Sequence, residues 1–442
     1  MRKALLLGGL AVAALAGAIV AVILSSGGEK AARPAASQPP STAATAQASS
    51  GTTTAAAPPA ITAALPTTTS AIPPPPGPNS PRRHSFTVGV VDDSLAQQVA
   101  ASARTQVEKS QRAGFDAVAL SAVWTRGRTR PQASVVRGIR NAASAARARH
   151  MRLFLIVWNG FATGTPRNGA EREQFASFAA ALARAFPQAA GIVVGNEPNL
   201  VTFWTPQFGP GGRDVAAVAY EDLLARSYDA IKAAEPGMRV IGVGLSPRGA
   251  DRPHGIRPTH SPTTFIRDLG RVYRTSGRRK PLMDAFAIHP YMLSPKVPPT
   301  VAHPKTTQIT LADYPKLVTL LDEAFRGTPQ RGRTLPILYT EFGVQTVVPG
   351  GKLAVYQRGT NPKAEQGVSP STQVAYYRTA LALAYCQPTV RGLFIFHTFD
   401  ESSLDGWQSG LYYADGTPKP SASGFRRAVT ELREGKLTTC GR

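Results

Sequence analysis

Residues 191–197 read GIVVGNE, an apolar, β-branched run that ends abruptly in an asparagine and a glutamate. A run this short, closed by turn-forming residues, reads as a strand buried on both faces. The acid at its end is costly to bury unless water or a partner reaches it, so it marks the strand end as a place where chemistry is done. The same texture recurs on both sides. Upstream lie FTVGVV from 86, FDAVALSAV from 115 and RLFLIVW from 152; downstream lie RVIGVGL from 239, DAFAIHPY from 284, PILYTEF from 336 and GLFIFHTF from 392. The stretches 95–113, 132–149, 171–185, 215–234, 262–276, 312–327, 371–386 and 421–434 place apolar residues three and four apart, as in FASFAAALARAF from 175, and predict helices.

Eight strand–helix units predict an α/β fold, a (β/α)8 barrel of parallel strands. The rival is an open doubly wound sheet, which carries a phosphate-binding glycine turn after its first strand. Here VGVVDDS follows instead, and Gly242 and Gly244 fall inside a strand, where they read as close packing.

The barrel is expected over 86–442. Before it, Arg2 and Lys3 precede a run from Ala4 to Leu24 without charge. That run is long enough to span a bilayer and predicts a membrane anchor or a signal peptide over 1–24, with everything after it outside the cytoplasm. Residues 25–85, built from Ala, Ser, Thr, Pro and Gly, have little to bury and predict a disordered linker.

The formal net charge is +23. Six of the 50 basic residues and one of the 27 acids precede residue 86, which leaves net +18 for the barrel. The cations are dispersed (Arg104, Arg112, Arg137, Arg140, Arg147, Arg149), without zinc-finger spacing or interleaved aromatics, so no nucleic-acid partner is expected. Attraction to acidic glycans or a cell surface remains open.

Active sites of such barrels form where the strands end. Polar residues at those ends are Asp92 and Asp93, Trp158 and Asn159, Asn196 and Glu197, His289 and Tyr291, Glu341, and His397 with Asp400. Glutamates ending the fourth and seventh strands face each other across the mouth, the arrangement that retaining glycosidases use. Asp92 and Asp93 read more readily as caps of the following helix.

The strings GIVVGNEPNL, ILYTEFG and AIHPY, with the closing GWQSGLYYADGTPKPS, resemble glycoside hydrolase clan A over about 86–435. Asn-Glu-Pro after strand four combined with a Glu in strand seven is the specific part; NEPNL is similar to the β-xylosidase and α-L-iduronidase branch, the simple barrel to endo-glucanases. The resemblance implies Glu197 as general acid/base and Glu341 as nucleophile, with Asn196 on a sugar hydroxyl, Tyr291 orienting Glu341, and His289 lining the same wall. Two departures touch the sugar-binding floor. AVALSAVW lacks the Arg common near the end of strand two, and His397 stands where many members carry a Trp.

Trp158 and Trp204, nearest the strand-end loops, are the expected sugar-stacking rings, and Asn159 and His397 further substrate contacts. Trp124 and Trp407 could equally fill core gaps. Cys386 and Cys440, at the ends of the last two helices, fit a disulfide in an oxidising compartment, with free thiols as the alternative. No metal-ligand spacing or G-x-S-x-G elbow is present, and no cofactor is expected. The expected substrate is a polysaccharide or oligosaccharide, and the expected state a monomer. A barrel that binds glycans without cutting them, or a transglycosylase, is the alternative.

Overall fold

The computed structural model describes residues 86–97, 99–357, 367–437 and 440. The expected anchor or signal at 1–24 and the expected linker at 25–85 lie outside these. Among the described residues no helix is long and apolar enough to cross a membrane.

Eight strands close into a barrel in sequence order: β1 Thr87–Val91, β2 Ala117–Val123, β3 Arg152–Trp158, β4 Gly191–Val194, β5 Val240–Leu245, β6 Ala285–Ile288, β7 Ile337–Phe342 and β8 Val390–Phe396. Every pairing is parallel, and β1 closes on β8 with Val91 opposite Phe396. The helices are α1 Ala100–Ala113, α2 Ala133–Ala148, α3 Gly169–Ala185, α4 Val215–Ala234, α5 Pro262–Thr275, α6 Tyr314–Phe325, α7 Pro370–Cys386 and α8 Ser421–Arg433. The expected helix from 95 is broken: a 3-10 turn over Asp93–Gln97 precedes α1.

Strands buried on both faces explain the unbroken apolar runs. Inward side chains such as Val91, Ala119, Phe154, Ile156, Val193, Ile241, Leu338 and Phe394 fill the barrel, and Trp158 and Phe396 lie against them one step nearer the strand ends. Phe394 meets Phe154 edge to face at 5.0 Å. Gly89 makes room for it, because a Cβ there would fall 2.2 Å from the Phe394 ring. Outward side chains pack beneath the helices in a second, larger cluster.

Helix starts carry the caps their sequences announce: Asn168, Asp214, Ser261 and Ser369 each accept a backbone N–H from the first turn. Asp92 and Asp93 do something different. Asp92 takes the Ser94 hydroxyl at 2.6 Å, and Asp93 accepts the Ser121 N–H of β2 at 2.9 Å. At the opposite end of the barrel Cys386 and Cys440 are joined by a disulfide, their Cα atoms 5.3 Å apart.

Candidate active site

The catalytic candidates gather at the C-terminal ends of β4, β6 and β7. β4 is short, so Glu197 lies three residues past it rather than in the strand. Its φ is +42°, the left-handed region that costs a non-glycine residue free energy. The surroundings hold it there. The Glu197 N–H donates to Gly244 O at 2.7 Å, and Gly244, itself at φ +70°, brings its backbone against the β4 turn. Asn199 ties the same turn to the loop after β5: it accepts from Ser246 N at 3.0 Å and donates to His260 O at 3.0 Å. Gln207 donates to Pro198 O at 2.9 Å.

His289 directly follows β6, Tyr291 lies three residues past it, and Glu341 is the fifth residue of β7. His289 is buried, with Nδ1 3.0 Å from Glu197 Oε1 and 3.5 Å from Glu341 Oε2. The two distances together cap the gap between those oxygens at about 6.5 Å. The carboxylate side chains are 13% and 16% exposed, so both are largely enclosed yet reachable. Tyr291 donates its hydroxyl to Glu341 Oε2 at 3.0 Å.

Burial pushes the Glu341 carboxyl above its ordinary value; the charge on His289 opposes this, the Glu197 charge adds to it, and the Tyr291 hydroxyl opposes it. Burial pulls the His289 imidazole down, but the charges of Glu341 and Glu197 outweigh that and leave it raised. Burial next to both carboxylates takes the Tyr291 phenol well above its usual range, so it stays a donor.

Asn196 is half-buried and immediately precedes Glu197. Trp158, also half-buried, stands on the rim at the end of β3, its edges against Phe161 and Phe203 and its indole N–H without a protein partner. Two expected contacts are corrected. Trp204 does not reach the mouth: it is 2% exposed and packs edge-on against Tyr220 of α4, as part of the outer core. Asn159 points its amide into the protein, donating to Phe203 O at 2.8 Å and Phe161 O at 3.2 Å, and so fastens the loops after β3 and β4.

His397 follows β8, with Nδ1 2.9 Å from Val91 O and Nε2 3.3 Å from Glu401 Oε1. Burial opposes its charge, but the Glu401 hydrogen bond and charge, Asp92 and the Val91 carbonyl together push it up to about 9. It is therefore an imidazolium at neutral pH, and its charge reaches Glu341.

Three more residues line these walls: Trp407, which the sequence left between stacking ring and core filler, and Glu401 and Arg248, which were not singled out from it. Trp407 packs on Tyr291 at 5.1 Å and on Phe396 at 5.7 Å, its indole N–H buried and unpaired. Glu401 pairs with His397. Arg248, in the loop after β5, is half-buried; burial lowers its pKa and the Glu197 charge opposes that. Among the described residues no group of three or more His, Cys, Asp or Glu side chains is arranged to hold a metal ion.

The arrangement can therefore place a carboxylate on each side of a small gap, bridge them with an imidazole, and fix one of them by a phenol.

No protein-family model matches the chain, and no curated protein matches it in sequence. Solved structures resemble it in fold. GH5_18 from Streptomyces cattleya in complex with GlcNAc superposes with a TM-score of 0.53 at 16% identity, over 79% of this chain and 80% of that one. A beta-glucosidase from Thermotoga maritima in complex with deoxynojirimycin gives 0.51 at 12% identity, over 79% and 98%. A GH5-4 broad specificity endoglucanase from Clostridium longisporum gives 0.51 at 11% identity, over 80% and 97%. At these identities the likeness is one of fold.

Proposed function

We propose that this protein is an exported retaining glycoside hydrolase of the clan A type, acting on a polysaccharide or oligosaccharide. The observation that carries the reading is the position of His289, within 3.0 Å of Glu197 and 3.5 Å of Glu341. Two carboxylates that share one imidazole are close enough to act on one anomeric carbon.

In the first step a Glu341 oxygen attacks that carbon while Glu197 gives its proton to the departing glycosidic oxygen. Tyr291 and His289 both lie on Glu341 Oε2, which leaves Oε1 as the attacking atom. A glycosyl ester on Glu341 results. In the second step Glu197, now a carboxylate, takes a proton from water as that water attacks the same carbon, and Glu341 leaves. His289, in reach of both carboxylates, holds the two side chains on opposite sides of the same gap. Asn196, beside Glu197, would hold a hydroxyl of the bound sugar, and Trp158 and Trp407 offer apolar walls with free N–H donors.

The apolar run at 4–24 and the Pro-rich segment after it support export, with the barrel tethered or released by cleavage and working as a monomer. The test is a panel of β-linked glycans with product sizing, run on wild type and Glu341→Gln. Release of shorter sugars by the wild type alone supports the reading. Binding without release by either protein refutes hydrolysis and leaves a glycan-binding barrel.

A further inference from the structure

Between Asp116 and Glu171 the chain holds nine arginines and no acid. Several are neutralised from elsewhere: Arg126 by Glu171, Arg149 by Glu108, Arg152 by Asp116. Arg137, Arg140 and Arg147 are not. They are exposed, make no ion pair or side-chain hydrogen bond among the described residues, and with Ser144 recur at spacings of three and four, so they form one ridge along α2.

The ridge borders a cavity. α2 and the end of α3 enclose a slot of about 200 Å³, lined by Arg140, Ser144 and Arg147 on one side and by Phe186 and Gln188 on the other. Helices of this barrel run antiparallel to the strands, so the C-terminal turns of α2 and α3 place the slot on the end opposite the mouth. A guanidinium fork matches the two oxygens of a carboxylate, and two forks two helical turns apart, about 10 Å along the axis, with Ser144 and Gln188 between them, match acidic groups spaced along a chain.

We propose that this slot is an anion-binding site that seats carboxylate groups of an acidic polysaccharide, holding the enzyme against an anionic glycan from behind. The choice of a glycan as the polyanion rests on the sugar-cleaving reading of the mouth; the slot itself does not. A lipid surface fits less well, because peripheral helices insert apolar side chains beside their cations. The exposed large apolar residues among the described ones lie elsewhere: Val99 before α1, Val123 at the end of β2, Val218 on α4, Ile256 after β5, Val301 after β6, and Val347, Leu353 and Val355 after β7. A nucleic acid would want an exposed ring to stack on, and Phe186 is 1% exposed.

The test measures binding of the full chain, in a neutral detergent, to soluble polygalacturonate, to dextran and to single-stranded DNA. Arg140→Ala/Arg147→Ala is compared with Arg331→Ala/Arg333→Ala, which removes equal charge from exposed positions after α6. The expected result is polygalacturonate binding without dextran binding, weakened about tenfold or more by the α2 pair and less than about twofold by the control pair. Equal weakening by both pairs, no polygalacturonate binding, or DNA bound more tightly through the same arginines overturns the proposal. Glycan hydrolysis is read separately. Lost binding with intact hydrolysis sinks only the slot, and intact binding in a protein that cuts nothing sinks only the mouth.

Discussion

The Tyr291 hydroxyl donates to Glu341 Oε2 over 3.0 Å, joining the turn after β6 to the acid of β7. That bond favours the carboxylate, against a burial that raises the Glu341 pKa overall. Because the attacking form is ionised, activity falls as pH drops through this raised value, and the acid limb of the rate profile lies above the ordinary glutamate range. Tyr291→Phe removes one of the opposing contributions. The limb is expected to move further up in pH, with kcat reduced on both sides of it. An unmoved limb in kcat/KM against pH would detach Tyr291 from Glu341.

Glu197→Gln and Glu341→Gln keep size and remove acidity. Each is expected to lower kcat by about a thousandfold or more on natural glycans. The two should then diverge on aryl glycosides with good leaving groups. These depart without a proton, so the first step recovers in Glu197→Gln and stays blocked in Glu341→Gln. Pre-steady-state release of the aryl group separates them, and identical behaviour of the two variants would contradict the division of roles.

His397 titrates at about 9 in the fold, against 6.5 for a free histidine, mainly through Glu401 once burial is overcome. A raised pKa stabilises the folded state while the group is protonated. The contribution is full below about pH 6.5 and is lost as pH climbs to about 9. Thermal unfolding of wild type should fall across that window, and Glu401→Gln should flatten the fall. Parallel curves for the two proteins would show that Glu401 does not set the charge.

Lys419, from the closing segment, and Asp400, after β8, form an ion pair at 2.6 Å with both side chains fully buried. Tyr356 and the Gly410 N–H also bind Asp400, while Thr346 and Gln408 O take Lys419. Lys419→Met strands a buried carboxylate and is expected to cost about 3–5 kcal/mol in urea unfolding. Lys419→Met/Asp400→Leu should cost less than the single change. A double variant worse than the single one would show the pair to be a net source of stability.

The barrel was legible because its strands are apolar on both faces and its helices are not, a contrast that survives in linear text. Glu197, His289, Tyr291 and Glu341 were legible for a related reason: each lies within three residues of the end of such a strand, and a closed barrel brings strand ends together. Trp204 misled because a loop position does not tell which way a ring turns; its contact with Tyr220 depends on how the loop returns to α4. Asn159 sits at the right strand end, but its amide serves two loop carbonyls. Trp407 lies eleven residues past Phe396 and reaches Tyr291 only because its loop folds back over the mouth. Arg248 reaches the charge of Glu197 through the course of the loop after β5, which no local pattern encodes.

Hydrolysis with retention passes through a covalent ester, here at Glu341. Incubation with a panel of 2-deoxy-2-fluoro glycosides, whose fluorine slows the second step more than the first, should trap that ester, and peptide mass spectrometry should place the sugar on the fragment containing Ile337–Phe342, at Glu341. An adduct on any other residue, or a first-formed product of inverted anomeric configuration, would contradict it.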